Sequence, residues 1–386
     1  MKNDIQLNLF GNLNQITELD SRLWRGSYNE KESTIQQLSP YVGKMKSGMA
    51  NVLIQLYSKP NEIVFDPFNG SGVVPFEAAI NGRIAWANDL NLYAYTLTKG
   101  KLETPKTKKQ ALKLAYNLLN IIEKTAQASD FSDVPEWVQE FFHPRTLQEV
   151  LAAFDILKRS KNYFILSCLL GILQHVRPGF LSYPSSHLVP YLRKSKYPPE
   201  KFPAMYTYRD LRSRLIAKIE RAYKRPFLTE NWENRRYQVW QKNVMDLPLT
   251  DKSVDTIISS PPYFGALDYA RDNRLRLWFL GCKDWKELDK SLTANNKVYI
   301  SQMANCLKEM GRVLKTGGNC VLVLGDVEKN GKTKNTAEIL GELAKKATDN
   351  KFNIEKIYSD KIPDDRRSRR KTKTTKIERI LVLKKQ

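Results

Sequence analysis

One segment narrows the possible folds more than any other: Glu62-Ile63-Val64-Phe65, then Asp66-Pro67-Phe68-Asn69-Gly70-Ser71-Gly72, then Val73 to Ile80. The first four residues form a short apolar, β-prone run of the kind that makes a buried strand. Asp66-Pro67 ends it, and the two glycines allow a tight turn with close backbone approach. Val73 to Ile80 has helical spacing, with Val74, Ala78 and Ala79 on one side. A glycine turn between strand and helix aims backbone N–H groups and the positive helix end at a ligand. Ile84-Ala85-Trp86-Ala87 reads as a second strand, closed by Asp89. An acidic residue about 20 positions after such glycines commonly takes ribose hydroxyls. Because Gly72 is followed by Val73-Val74 rather than Lys and Ser/Thr, a phosphate-binding ATPase loop is a poor reading.

A second cluster lies far downstream. Val254 to Ile258 is strand-like and runs through Ser259 into Ser260-Pro261-Pro262-Tyr263. The two prolines stop ladder pairing and stiffen the chain at the strand's end. Ligands in an open parallel sheet sit at the carboxyl ends of strands, so chemistry belongs there. The Ser260 hydroxyl and the Pro261 carbonyl can accept hydrogen bonds from an amine, and Tyr263 offers a flat ring for stacking on a base.

In order along the chain, these pieces resemble the S-adenosylmethionine-dependent amino-methyltransferases that modify DNA at cytosine N4 or adenine N6. Tyr41-Val42-Gly43-Lys44-Met45, Leu53-Ile54 and Ser58-Lys59-Pro60 resemble the family's cofactor-binding segment before the glycine turn. Asp66 to Gly72 resembles its cofactor motif, and Asn88-Asp89-Leu90-Asn91 its ribose-binding acid. The resemblance covers about half the chain, in two blocks. It implies S-adenosyl-L-methionine as cofactor, held by Gly70, Gly72 and Asp89, with Asp66, Phe68, Asp246 and Lys44 in support. It also implies Ser260, Pro261, Pro262 and Tyr263 as the catalytic residues around a flipped base. The serine form of that motif is the one most associated with cytosine N4, and the Asp or Asn form with adenine N6. Leu307 to Leu324 resembles the helix, turn and strand that follow the catalytic loop. Adenine N6 methylation, an RNA methyltransferase and a catalytically silent DNA-binding relative are the competing readings.

The expected architecture is α/β: a Rossmann-like methyltransferase sheet with helices on both faces and a largely helical insertion. The expected organisation is a lead-in over residues 1–39, a first catalytic block over 40–104, the insertion over 105–235 and a second catalytic block over 236–386. Roughly 140 residues separate the helix after Asp89 from Asp246, enough for a small domain. Relatives with this motif order often recognise their target in that interval. Lys108 to Ala128, Pro144 to Arg159, Tyr163 to Leu173 and Tyr208 to Lys224 carry helical signals, with Pro144 near a helix start. His143, His175 and His187 read as helix-end, core or loop histidines. The loop Phe264 to Tyr269 is a candidate lid, and Trp24 a candidate anchor for the lead-in.

Formal charge adds a partner class. Net charge is +22, from 63 Lys+Arg against 41 Asp+Glu, the footprint of a phosphate-binding protein. Positive charge gathers from Arg193 to Arg225, interleaved with tyrosines, and again from Arg366 to Lys373 in an expected hairpin loop. Double-stranded DNA is the expected partner, with a cognate restriction endonuclease as a possible second. None of Cys168, Cys282, Cys306 and Cys320 follows the prolines, so attack on a base by a thiolate is disfavoured. Their spacing, with three histidines, predicts no metal site. The cysteine usage and the polar N-terminus lead to an expectation of a reducing cytoplasm with no secretory leader. The longest apolar run is too short to cross a bilayer.

Overall fold

The structure, a computed structural model, describes Trp24 and residues 32–125, 131–174, 181–182, 197–262, 269–282, 284–286, 296–329, 332–361 and 377–386. Along the chain run α1 (Ser47–Tyr57), β1 (Ile63–Asp66), α2 (Val73–Ile80), β2 (Ile84–Asn88) and α3 (Leu92–Leu102). A helical stretch follows: α4 (Lys108–Thr125), α5 (Glu136–Gln139), α6 (Pro144–Ser160), α7 (Tyr163–Ile172) and α8 (Leu211–Ala222). The chain then returns through β3 (Tyr237–Trp240), β4 (Val254–Ser259), α9 (Tyr269–Asp272), α10 (Arg274–Phe279) and α11 (Asn296–Val313). It ends with β5 (Leu314–Gly325), β6 (Val327–Lys329), β7 (Lys332–Lys334), α12 (Thr336–Ala347), β8 (Phe352–Lys361) and β9 (Ile377–Lys385).

Seven strands form one sheet in the order β3-β2-β1-β4-β5-β9-β8. The pairings from β3 to β5 are parallel, whereas β9 runs antiparallel to both β5 and β8. This is the expected Rossmann-like sheet with an antiparallel hairpin at one edge. The strands are apolar on both faces, and the period of two sorts the residues into two cores. Val64, Ala85, Ile258, Val321, Val323 and Val382 face α1, α2, α3 and the helices that follow. Phe65, Ile257, Cys320, Leu322, Leu324 and Leu383 face α11 and α12. A one-residue slip in any central strand would exchange these sets.

Local chemistry sets the helix ends. Pro75 lies in the first turn of α2, where its missing N–H breaks no intrahelical bond. The His143 ring accepts from Arg145 N–H at the start of α6, with Pro144 in the first turn, so His143 is a cap as expected. Asp210 caps α8 through Ser213 N–H at 2.7 Å.

The helical stretch leaves and re-enters the sheet at one stem. Trp232 Nε1 donates to the Thr104 carbonyl at 2.7 Å, Tyr223 Oη to the Pro105 carbonyl at 2.5 Å, and Arg235 to the Leu102 carbonyl. The Trp232 ring also packs edge-on against Phe76 of α2, with centroids 5.5 Å apart. Its helices share the core under α3, and Gly100 allows the approach: a Cβ there would lie 2.1 Å from Ser167 Oγ.

Trp24 is 2% exposed and anchors the lead-in as expected. Its Nε1 donates to Asp360 Oδ2 at 2.8 Å, and Lys46 Nζ lies 3.7 Å from the same oxygen. Asp360→Ala removes the acceptor shared by two buried donors, and a loss of about 2–4 kcal/mol is expected. Urea unfolding checks this, and an unchanged midpoint would show the anchor to be energetically idle.

The basic stretch before Arg225 behaves differently from a free phosphate comb. Arg209 is buried and donates to the Ser182 and Met205 carbonyls, and Lys218 reaches the Gln37 carbonyl at 2.8 Å. Arg212 pairs with Glu123 and Arg214 with Asp210. Tyr206, Tyr208 and Tyr223 each donate a hydroxyl internally. These charges and rings stitch the helices together. Arg193, Lys194, Lys196 and Tyr191, the Arg366–Lys373 segment, the candidate lid from Phe264 to Asp268 and both His175 and His187 lie outside the described residues, while Tyr269, expected in that loop, begins α9.

Candidate active site

The carboxyl ends of β1, β2, β3 and β4 share one edge of the sheet because these strands are parallel. The glycine turn follows β1, Asp89 follows β2, and Ser260-Pro261-Pro262 follows β4. β1 and β4 are direct neighbours, with Val64 opposite Thr256 and Phe65 opposite Ile257. The topology therefore brings together two sequence motifs separated by the whole helical stretch.

Each glycine has a specific steric reason. Gly72 caps α2 at φ +74°, and a Cβ there would sit 2.5 Å from Thr98 Oγ1 and 2.9 Å from Thr98 Cα. Gly70 sits at φ +50°, with the Tyr41 ring 3.2 Å from its hypothetical Cβ. Both torsions fall in the left-handed region that side chains disfavour. Tyr41 in turn stacks on Tyr93, with centroids 5.7 Å apart.

Asp89 closes the turn across strands. Gly70 N–H donates to its Oδ2 at 2.9 Å, and Asn91 N–H to its Oδ1 at 2.9 Å. Burial still raises its pKa to about 6, against these two bonds. Asn88, just before it, is fully buried and ties three strand ends together. Its amide donates to the Pro67 carbonyl at 3.2 Å and the Lys242 carbonyl at 3.0 Å, and accepts from Lys242 N–H at 3.0 Å. Asn69 N–H donates to the Asn88 carbonyl at 3.1 Å, and Thr98 donates to the Asn69 side chain.

Asp66 is 3% exposed. It accepts from Phe68 N–H at 3.2 Å and from the Ser259 hydroxyl at 2.6 Å. Ser259 thereby joins the cofactor-motif strand to the strand that carries Ser260. Tyr299, buried on α11, donates to the Pro262 carbonyl at 2.9 Å and holds the far side of that loop. Ser260 and Pro262 are partly exposed and Pro261 is buried, while Tyr263 lies outside the described residues. Phe68 is half-buried and Asp246 is exposed in the turn after Asn243. Lys44 points to Glu32 at 3.3 Å and to the Gln36 carbonyl at 3.5 Å.

Burial lifts the Asp66 carboxyl to about 7, outweighing the Ser259 and Phe68 bonds, and nearby Asp89 adds to the shift. The native state therefore binds this proton more tightly than the unfolded chain. The stability Asp66 contributes is present below about pH 4 and is lost as pH rises through about 7. Asp66→Asn is expected to gain on the wild type at about pH 8 relative to about pH 5. Urea midpoints at both values test it, and a difference independent of pH would contradict the assignment.

Asn88, Ser259, Tyr299 and Tyr41 are parts of the arrangement that motif reading did not single out for a role. Tyr41 lay within the segment resembling the family's cofactor-binding piece and Asn88 within the stretch around the ribose-binding acid, whereas Ser259 and Tyr299 make contacts that no local pattern encodes. The four cysteines are free; Cys168 and Cys306 are buried, with thiols pushed up to about 12. Among the described residues no cluster of His, Cys, Asp and Glu could hold a metal ion, and no helix is long and apolar enough to cross a membrane.

The sheet order, with the glycine turn at the end of β1 and Asp89 at the end of β2, defines a Rossmann-like α/β fold. Residues 11–100 match the family model described as DNA methylase, of the N6/N4 type. Over those residues the chain is similar to the N4/N6 amino-methyltransferases. The chain is 33% identical over 78 residues to the Type II methyltransferase M.SfiI of Streptomyces fimbriatus, covering 20% of this chain and 15% of that protein. It thus spans only a small part of that relative's length. Among solved structures it aligns with TrmN from Thermus thermophilus (12% identity, TM-score 0.36, covering 91% of this chain and 52% of that one). It also aligns with a SAM-dependent methyltransferase of Methanosarcina mazei (11% identity, TM-score 0.35, covering 86% and 96%).

Proposed function

We propose that this protein transfers a methyl group from S-adenosyl-L-methionine to the exocyclic N4 amine of a cytosine flipped out of duplex DNA. The observation that carries this reading is the Ser259–Asp66 hydrogen bond between neighbouring strands, which holds the glycine turn and Ser260 at one sheet edge.

The turn suits a nucleoside cofactor. Ser71 Oγ and Asn69 Nδ2 are buried there without a partner among the described residues, leaving polar groups at the turn for a ligand. Gly70 and Gly72 would hold the cofactor by close backbone approach, and the two Asp89 oxygens keep lone pairs for ribose hydroxyls. Phe68, Asp66 and Asp246 would complete that side, with Lys44 acting through Glu32 and Gln36. When bound, the cofactor supplies an electrophilic methyl group on sulfonium.

Ser260 and the Pro261 carbonyl accept hydrogen bonds from the target amine and turn its lone pair out of conjugation with the ring. Pro261 and Pro262 hold those acceptors rigid, and Tyr299 fixes the loop from behind. Tyr263 would stack on the base. Positioning of this kind is the main source of rate for a direct transfer with no covalent enzyme intermediate. In this reading the helical stretch between Pro105 and Arg235 carries target recognition. A companion endonuclease with the same recognition sequence is the partner it expects, in a reducing cytoplasm.

The test is incubation with S-adenosyl-L-methionine and mixed-sequence duplex DNA, followed by digestion to nucleosides and mass identification. N4-methylcytosine is expected. N6-methyladenine would move the target base while keeping the site, and methylation of RNA alone would overturn the DNA assignment.

A further inference from the structure

A cavity of about 970 Å³ lies between the helical stretch and the segment after the catalytic loop. Three of the chain's seven tryptophans line it: Trp137 on α5, Trp278 on α10, and Trp285 just beyond. Phe154 of α6 forms part of its wall, stacked on Phe279 at 4.7 Å. All three tryptophans are partly buried, so their rings are held at the wall without being enclosed in the core. Each packs on the core with one side and leaves part of its indole at the cavity.

The cavity is one helix away from the cofactor turn. On α10, Arg276 is buried, donates to the Leu170 carbonyl at 3.1 Å and lies 5.5 Å over the Tyr93 ring. Tyr93 stacks on Tyr41, which covers Gly70. Arg274 and Trp278 of the same helix line the cavity instead. Its charges suit a nucleotide better than an apolar peptide. The Arg274 guanidinium lies 5.6 Å over the Trp137 ring, Lys158 stands at the wall, and Asp155 is already paired with Arg159. Asp133 adds a carboxylate that can accept from an exocyclic amine. Indole rings with cations beside them are the physical recipe for holding a base by its face and its phosphate by charge.

We propose that this cavity takes up an unstacked nucleobase of the bound nucleic acid, a second base site separate from the one at Ser260. The inference rests on the DNA-methylating reading for its ligand class but not for its evidence, and it concerns binding rather than transfer.

The experiment titrates the full chain with a short single-stranded oligodeoxynucleotide and with the same strand carrying abasic sites at its centre. Trp278→Ala is expected to weaken binding of the intact strand about tenfold or more, and to leave the abasic strand nearly unaffected. Equal losses on both strands, or none on either, would overturn the proposal. Because Trp278 contributes to packing, the wild type is also cross-linked to a strand containing 5-iododeoxyuridine and the adducts mapped by mass. Adducts at Trp137, Trp278 or Trp285 support the site, and adducts confined to other residues overturn it. Cofactor-binding and methylation assays run in parallel separate the two ideas. A protein that methylates DNA yet fails these tests keeps its proposed function and loses the second base site, whereas base-dependent binding without methylation does the reverse.

Discussion

Gly72→Ala is expected to destabilise the protein by roughly 2–5 kcal/mol and to abolish cofactor binding. Two independent penalties add. The residue sits at φ +74°, where an L side chain costs about 1–2 kcal/mol. Its new Cβ would also press on Thr98, and the 2.9 Å contact is to Thr98 Cα, a backbone atom of α3 that cannot rotate away. Overpacking of that kind costs about 1–3 kcal/mol. Moving α3 would further disturb the Thr98–Asn69 bond, and with it the turn. Gly82→Ala is the matched control. Gly82 has a similar φ of +72°, but nothing lies within 4 Å of its hypothetical Cβ. It should lose only the torsional part, roughly 1–2 kcal/mol. Denaturant midpoints for the pair, with calorimetric titration of S-adenosyl-L-methionine, make the comparison. Equal losses in the two variants would show that the approach of α3 to the turn is not a constraint.

Ser260→Ala is expected to lower the rate of transfer about 100-fold while leaving cofactor affinity unchanged, since a misplaced reactant typically costs that much. Ser260 is partly exposed at the strand end, so removing its hydroxyl should not weaken the core. Ser259→Ala provides a contrast one residue away. Ser259 is fully buried and its hydroxyl is spent on Asp66, so this variant should lose stability and weaken cofactor binding together. Single-turnover methylation and cofactor titration on both proteins separate the roles. Full transfer by Ser260→Ala would remove the catalytic assignment.

What could be read from the chain alone followed the range of the interactions. The glycine turn, its flanking strand and helix, and Asp89 depend on neighbours in sequence, and the structure has β1, α2 and β2 very nearly where apolar spacing put them. Pro144 and His143 marked a helix start because a cap is a local event. The α1 helix gave no comparable signal: Lys46 makes no side-chain cap, and the helix is buried on most sides. Likewise, the helix, turn and strand expected within Leu307 to Leu324 are a helix ending at Val313 that passes directly into β5 at Leu314, with a register shift between Val254 and Thr256 of β4. Tyr299 and Ser259 could not be found by pattern. Their value comes from Pro262 and Asp66, partners set by the sheet order. The basic run before Arg225 shows the opposite error. Charge density suggested a surface for phosphate, but much of it is consumed by carbonyls and carboxylates that composition does not reveal.

The stem formed by Trp232, Arg235 and Tyr223 with Leu102, Thr104 and Pro105 has a consequence for how such a chain could change over time. It works as a clasp, bringing the two ends of the helical excursion together before the sheet continues into β3. Once the ends are clasped, the length of what lies between them matters little to the sheet, because doubling a closed loop adds only about 0.6 kcal/mol. The excursion could therefore be lengthened, trimmed or exchanged beyond the clasp, as one changes the head of a tool, while the handle that holds the glycine turn and Ser260 stays as it is.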